Sequence, residues 1–198
     1  MIKELKGLKN YVDKNNKKYS EYINQIIKAA EKKKQAVYTA AFLTPTAIAE
    51  LDRWWGSLGN AYLDKKIRHH MTIKYYGYKR GASPEAADEV LSLPIGEVVS
   101  LTVVGYAKDD KGQAVLVSGV ESSNPHPHIT LSTAEGVNAV YSNDLLKSGV
   151  TEVPDPSDPD AEPGPTLEVK IGFYDGKDVR YSLDGSIYDT LNEQISED

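Results

Sequence analysis

One short pattern occurs twice in this chain, and it limits the fold more than any other feature. His70-Met71-Thr72-Ile73 and His128-Ile129-Thr130-Leu131 both read histidine, apolar residue, threonine, aliphatic residue. All four histidines of the protein lie in or just before these tetrads, His69 and His70 at one, His126 and His128 at the other. β-Branched and apolar residues follow each histidine, which predicts a strand. On a strand, residues i and i+2 share a face, so each copy presents an imidazole and a hydroxyl together. Two such pairs facing one cleft supply two groups that carry protons near neutral pH and two short donors for an anion. That inventory suits cleavage of a phosphodiester without a metal. By the same alternation, His69 is expected to turn away from His70. His126 is expected to share a face with His128, and this i, i+2 pair is a rival metal site that lacks carboxylate partners.

The paired tetrads resemble the signature of the 2H phosphoesterases. The resemblance covers about Val37 to Tyr141, with a returning strand near Leu167 to Phe173. It implies an α+β, bilobal fold with two pseudo-symmetric antiparallel sheets, flanking helices and a central cleft. It also implies His70, Thr72, His128 and Thr130 as catalytic residues, with no metal and no cofactor. One histidine acts as base, for which His128 is favoured, and the other as acid; the threonines hold the phosphate. Tyr38 matches a substrate-contacting tyrosine of phage phosphodiesterases that destroy cyclic-oligonucleotide alarm signals (anti-CBASS enzymes). Lys74 and Tyr75, just past the first tetrad, are further substrate-binding candidates, with Lys79, Arg80, Trp54 and Tyr76 behind them. The segment after the second tetrad, Thr133 to Val137 and Tyr141 to Leu146, resembles the cyclic phosphodiesterase domains of tRNA ligases. The implied partner is therefore a small cyclic nucleotide or an RNA end carrying a cyclic phosphate. A non-catalytic nucleotide-binding module is the third reading, though both tetrads are intact.

Around the tetrads the chain punctuates itself. Residues 1–35 read as a basic helical extension, with Leu5, Leu8, Val12, Tyr19, Ile23 and Ile27 near helical spacing and a break at Asp13 to Asn16. The 2H domain is expected over 36–198. It opens with a strand from Ala36 to Leu43; Thr44 then caps a helix, with Pro45 in its first turn, running to about Leu58. Ile48, Leu51, Trp55 and Leu58 should line that helix's inner face. A second helix is predicted from Ser83 to about Leu91. Val98 to Lys108 and Gln113 to Val120 form a predicted hairpin, as do Thr166 to Tyr174 and Lys177 to Leu183 around Asp175-Gly176. Residues 151–165 hold five of the ten prolines and no base, which predicts a stiff acidic loop. A last helix is predicted from Ser186 to Ile195.

Charge narrows the substrate. Residues 1–34 carry ten lysines against four acids, +6, so the remainder of the chain is −12 of the total −6. An acidic body disfavours a long polyanion. There is no cysteine, which excludes thiol nucleophiles and thiolate metal sites. Neither a membrane span nor a leader peptide is apparent, so the expected location is the cytoplasm, that of the host if the chain is phage-encoded.

Overall fold

The computed structural model describes residues 36–77, 93–154 and 163–181. The helices expected in 1–35, 83–91 and 186–195, most of the acidic loop, and Lys79 and Arg80 lie outside these. The chain separates into two compact units. Of the described residues, 40–75 and 97–171 belong to the larger unit, and 36–39, 76–77, 93–96 and 172–181 to the smaller.

Nine strands and two helices are described: β1 (Tyr38–Leu43), α1 (Pro45–Ser57), β2 (Lys65–Lys66), β3 (His70–Tyr75), β4 (Val98–Lys108), β5 (Gly112–Ser118), β6 (His128–Thr133), α2 (Tyr141–Ser148), β7 (Thr151–Glu152), β8 (Thr166–Tyr174) and β9 (Val179–Arg180). The class is α+β, as expected. The two separate sheets expected from the tetrads are not what the described strands form. They lie in one sheet, ordered β7-β4-β5-β6-β3-β1-β8-β9, and β4 pairs again with β8. Five consecutive partners from Val98↔Lys170 to Thr102↔Thr166 make that second pairing and close six strands into an antiparallel barrel. A closed barrel removes the exposed edges that an open sheet must protect.

In the larger unit, the ladder registers say which residues share a face. Antiparallel partners project to the same side. Met71 pairs with Ile129, Ile129 with Val115, and Val115 with Tyr106. Met71, Ile129 and Val115 are fully buried, as are Leu101, Leu167 and Val169. Each such side chain stabilises the fold by about 1.5–3 kcal/mol through burial. α1 seats itself against this interior. Thr44 Oγ1 accepts the Ala47 N–H at 3.2 Å, and Pro45 fills the first helical position, as the sequence predicts. Leu51 and Trp55 are fully buried, and the Trp55 ring meets Tyr106 edge-on at 5.5 Å. Leu58, expected on the inner face, is the exposed C-cap instead.

The other face of these strands is covered by α2. Ala114 pairs with Thr130 and Leu116 with His128. Ala107 and Ala114 pack there against Leu145 and Leu146 of α2. Gly112 lets α2 come close: a Cβ at this position would sit 2.9 Å from the Tyr141 ring.

In the smaller unit, Val37 donates its N–H to the Tyr174 carbonyl (2.7 Å) and accepts from Tyr76 N (2.8 Å). Ala36 and Phe173 are buried there with Ile95 and Tyr76 against them. Asp175 closes the predicted Asp-Gly turn, accepting from the Lys177 and Asp178 N–H groups and pairing with Arg180 at 2.8 Å. None of the helices is long and apolar enough to cross a membrane, among the described residues.

Candidate active site

The Met71↔Ile129 pair is the centre of the site. It joins β3 and β6 as neighbouring antiparallel strands with their apolar members buried on one face. Stepping out from it, the register brings Thr72 to the side of His128 and His70 to the side of Thr130. By strand alternation both tetrads therefore present histidine and threonine on the face opposite Met71 and Ile129, in opposite strand directions. His70 and His128 lie close enough that charge on His128 disfavours protonation of His70.

The two copies are supported differently. His128 Nδ1 lies 2.7 Å from the His126 carbonyl oxygen. Only an N–H can bridge that gap, so Nδ1 carries the hydrogen and a neutral His128 has its lone pair on Nε2. Burial lowers its pKa; the His126 carbonyl opposes this, and charge on the His126 ring adds to it. Thr130 is buried, with its hydroxyl 2.9 Å from the Ser142 hydroxyl near the start of α2.

His70 sits beside a bulge. From Lys66↔Ser132 to Met71↔Ile129 the first strand advances five residues while β6 retreats three. The surplus is taken up around Arg68, whose φ of 25° lies in the left-handed region. For a non-glycine residue this costs about 1–3 kcal/mol, and such outliers collect at functional sites. Asp52 holds Arg68 there, with Nε 2.8 Å from Oδ1 and 3.1 Å from Oδ2. Tyr62 donates to the same carboxylate at 2.6 Å, and its hydroxyl titrates well above the usual range because of burial and Asp52.

The bulge overturns one expectation. His69 precedes β3, so strand alternation does not govern it, and it does not turn away from His70. The two rings stack with centroids 4.5 Å apart at 22°, and their Nδ1 atoms share a hydrogen bond. Burial depresses the pKa of His70 strongly, with His69 and His128 adding to it. Burial also lowers His69, helped by Arg68 and Lys65. Phe42 packs against the other reach of His70, with ring centroids 5.6 Å apart.

His126 likewise lies outside β6, in the connection before it, and its carbonyl accepts from His128. No group of three His, Asp or Glu side chains converges as a metal site among the described residues. Lys74 continues the alternation of His70 and Thr72 and shares their side of β3. Tyr75 follows Met71 and Ile73 instead and is 57% exposed at the strand end. Tyr38 belongs to the smaller unit, where its ring stacks on Tyr174 at 5.3 Å. A separate open groove of about 600 Å³ runs past Tyr106, Lys108, Leu145 and Val150 and includes none of the candidate residues.

Several supporting residues escape the motif. Ser122 Oγ donates to the Thr72 carbonyl at 2.9 Å, and Ser123 Oγ to that of Ile73 at 3.0 Å. Asn124 joins this loop to α2 through Asn143 (2.6 Å) and accepts the His126 N–H at 3.0 Å. The 142, 145, 146 spacing of buried residues in α2 is an amphipathic signal that locates Ser142. Ser122 to Asn124 gives no such signal beyond turn-forming composition.

No family model matches the chain, and no curated protein is similar to it at a significant level.

Proposed function

We propose that this protein is a two-histidine phosphodiesterase of the 2H type that hydrolyses a small ribonucleotide, with cyclic oligonucleotides the preferred class. The observation that carries this reading is the meeting of the two His-x-Thr units on adjacent antiparallel strands, on one face of the sheet. His128 is the base: Nδ1–H is committed to a carbonyl, so Nε2 takes the proton from the attacking water or ribose 2′-hydroxyl. The new oxygen–phosphorus bond forms as the bond to the leaving oxygen breaks. His70 delivers a proton to that leaving oxygen. Burial disfavours its charged form, but a bound phosphodiester anion restores it. Thr72 and Thr130 donate to the non-bridging oxygens, where charge builds. The Thr130 hydroxyl meets the Ser142 hydroxyl at 2.9 Å and the Ala139 carbonyl at 3.5 Å, and a bound phosphate oxygen would replace the longer of these as the acceptor of its proton.

The acidic body outside residues 1–34 supports a small ligand over a long RNA. The test is incubation of the full chain, in saturating EDTA, with cyclic di- and trinucleotides and with RNA bearing a 2′,3′-cyclic phosphate. Chromatography of the products should show opened cyclic nucleotides. Cleavage of RNA ends alone would make it an RNA-repair phosphodiesterase. Turnover abolished by chelation and restored by zinc would replace the two-histidine mechanism with a metal one.

A further inference from the structure

The histidine beside the first tetrad has no role in that scheme, yet its ring makes a direct polar contact with His70. We infer that His69 is a positioning residue: its Nδ1 receives the Nδ1–H of His70 and so assigns proton exchange with a phosphodiester to Nε2 of His70. This rests on the reading of His70 as a proton-transfer group.

The geometry supplies the reasons. Two nitrogens facing each other share one hydrogen, so the two rings cannot both be imidazolium without setting N–H against N–H. A charged His70 carries hydrogens on both nitrogens, and its Nδ1–H then needs an acceptor. His69 is the acceptor in contact, with its ring stacked on His70. Charge on Arg68 and Lys65, in the segment before β3, disfavours protonation of His69; charge on His69 and His128 disfavours it at His70, and charge on His126 disfavours it at His128. Burial keeps both rings from charging in the empty site, most strongly His70, and a phosphodiester anion bound at Nε2 of His70 is what draws the proton to that ring rather than to His69. The second copy has the same arrangement with a different acceptor: the His126 carbonyl takes the Nδ1–H of His128. A nucleophile or base oriented by a third group is the general logic of such sites.

The experiment compares His69→Phe, which keeps a ring and removes the acceptor, with His69→Asn, which keeps an acceptor. Long-range ¹H–¹⁵N spectra of the histidine-labelled full chain report each imidazole tautomer, with His70 assigned from His70→Gln. His70 should be Nδ1-protonated in the wild type and in His69→Asn, and should move to the Nε2–H form in His69→Phe. On a cyclic dinucleotide, His69→Phe should lower kcat about 10- to 100-fold, the usual cost of losing the partner that orients an imidazole. KM should not change, and His69→Asn should recover most of that loss. His69→Leu and His69→Gln repeat the contrast should the phenylalanine variant fail to fold. An unchanged His70 tautomer in His69→Phe, or equal losses in both variants, overturns the inference. If the wild type cleaves no nucleotide, the proposed function fails, and the tautomer spectra still decide the role of His69.

Discussion

The two His-x-Thr copies share a sequence but not a scaffold. The second is held by groups that do not titrate: the His126 carbonyl for its histidine and the buried Ser142 hydroxyl for its threonine. The first leans on a neighbouring imidazole and on a strand bent by Arg68 at positive φ. A backbone carbonyl keeps its polarity at every pH, whereas an imidazole acceptor fails once it is protonated. In the proposed scheme the second copy therefore serves as a constant base, and the first as a group whose protonation follows what is bound beside it. Repetition of a motif therefore says little about equivalence of role.

The strongest way to break this division is to remove each histidine. His70→Ala and His128→Ala should each lower turnover by about 10²–10⁴, the usual worth of a placed proton donor or acceptor. Their combination should be far less than multiplicative, because either loss disables the shared transition state. Steady-state rates on the preferred nucleotide decide it: full activity in either single variant ends the two-histidine scheme.

The threonines sharpen the contrast on a smaller scale. Thr72→Ala and Thr130→Ala should each cost turnover about 1.5–3 kcal/mol as a lost hydrogen bond to a charged group. Only Thr130→Ala should also lower stability, by about 1–3 kcal/mol, because it strands the fully buried Ser142 hydroxyl. Urea unfolding of both variants separates the two effects. Equal destabilisation would mean that Ser142 finds another partner or that Thr72 is as tightly held.

Local chemistry was legible in the chain, and long-range pairing was not. The Thr44 cap, the Pro45 start, the β4–β5 hairpin and the Asp175-Gly176 turn each rest on a few adjacent residues, and the structure has them where the sequence predicts. The β4–β8 pairing joins Val98 to Lys170, and nothing in either strand names the other; two sheets and one closed barrel use the same strands. Alternation predicts the orientation of a residue only inside a strand. His69 lies one residue outside β3, where that rule has ended, and so it meets His70 instead of turning away from it. The surplus residues at Arg68 have no local signature either, since an arginine at positive φ is disfavoured by its own propensity and is kept there by Asp52.

The smallest expected effect distinguishes the two histidines by pH. Both titrate below the usual histidine value of about 6.5, and His70 is held further down than His128, each chiefly by burial. When such a group stays neutral in the folded protein and protonates in the unfolded chain, the unfolded state binds more protons. Its contribution is complete above the unfolded value and is lost as pH falls toward the folded one. His69 adds a slope of the same sign, so the informative comparison is between variants. Asp109 and Asp175 are held below the usual carboxylate range and lose their contributions only below about pH 4. Between about pH 6.5 and 4.5 the slope therefore belongs mainly to the histidines. His70→Gln should flatten it more than His128→Gln, because the deeper depression spans more of that window. Urea-unfolding midpoints at pH 7.5, 6 and 5 measure it. A larger flattening in His128→Gln would reverse the order of burial between the two copies, and with it the assignment of the constant base.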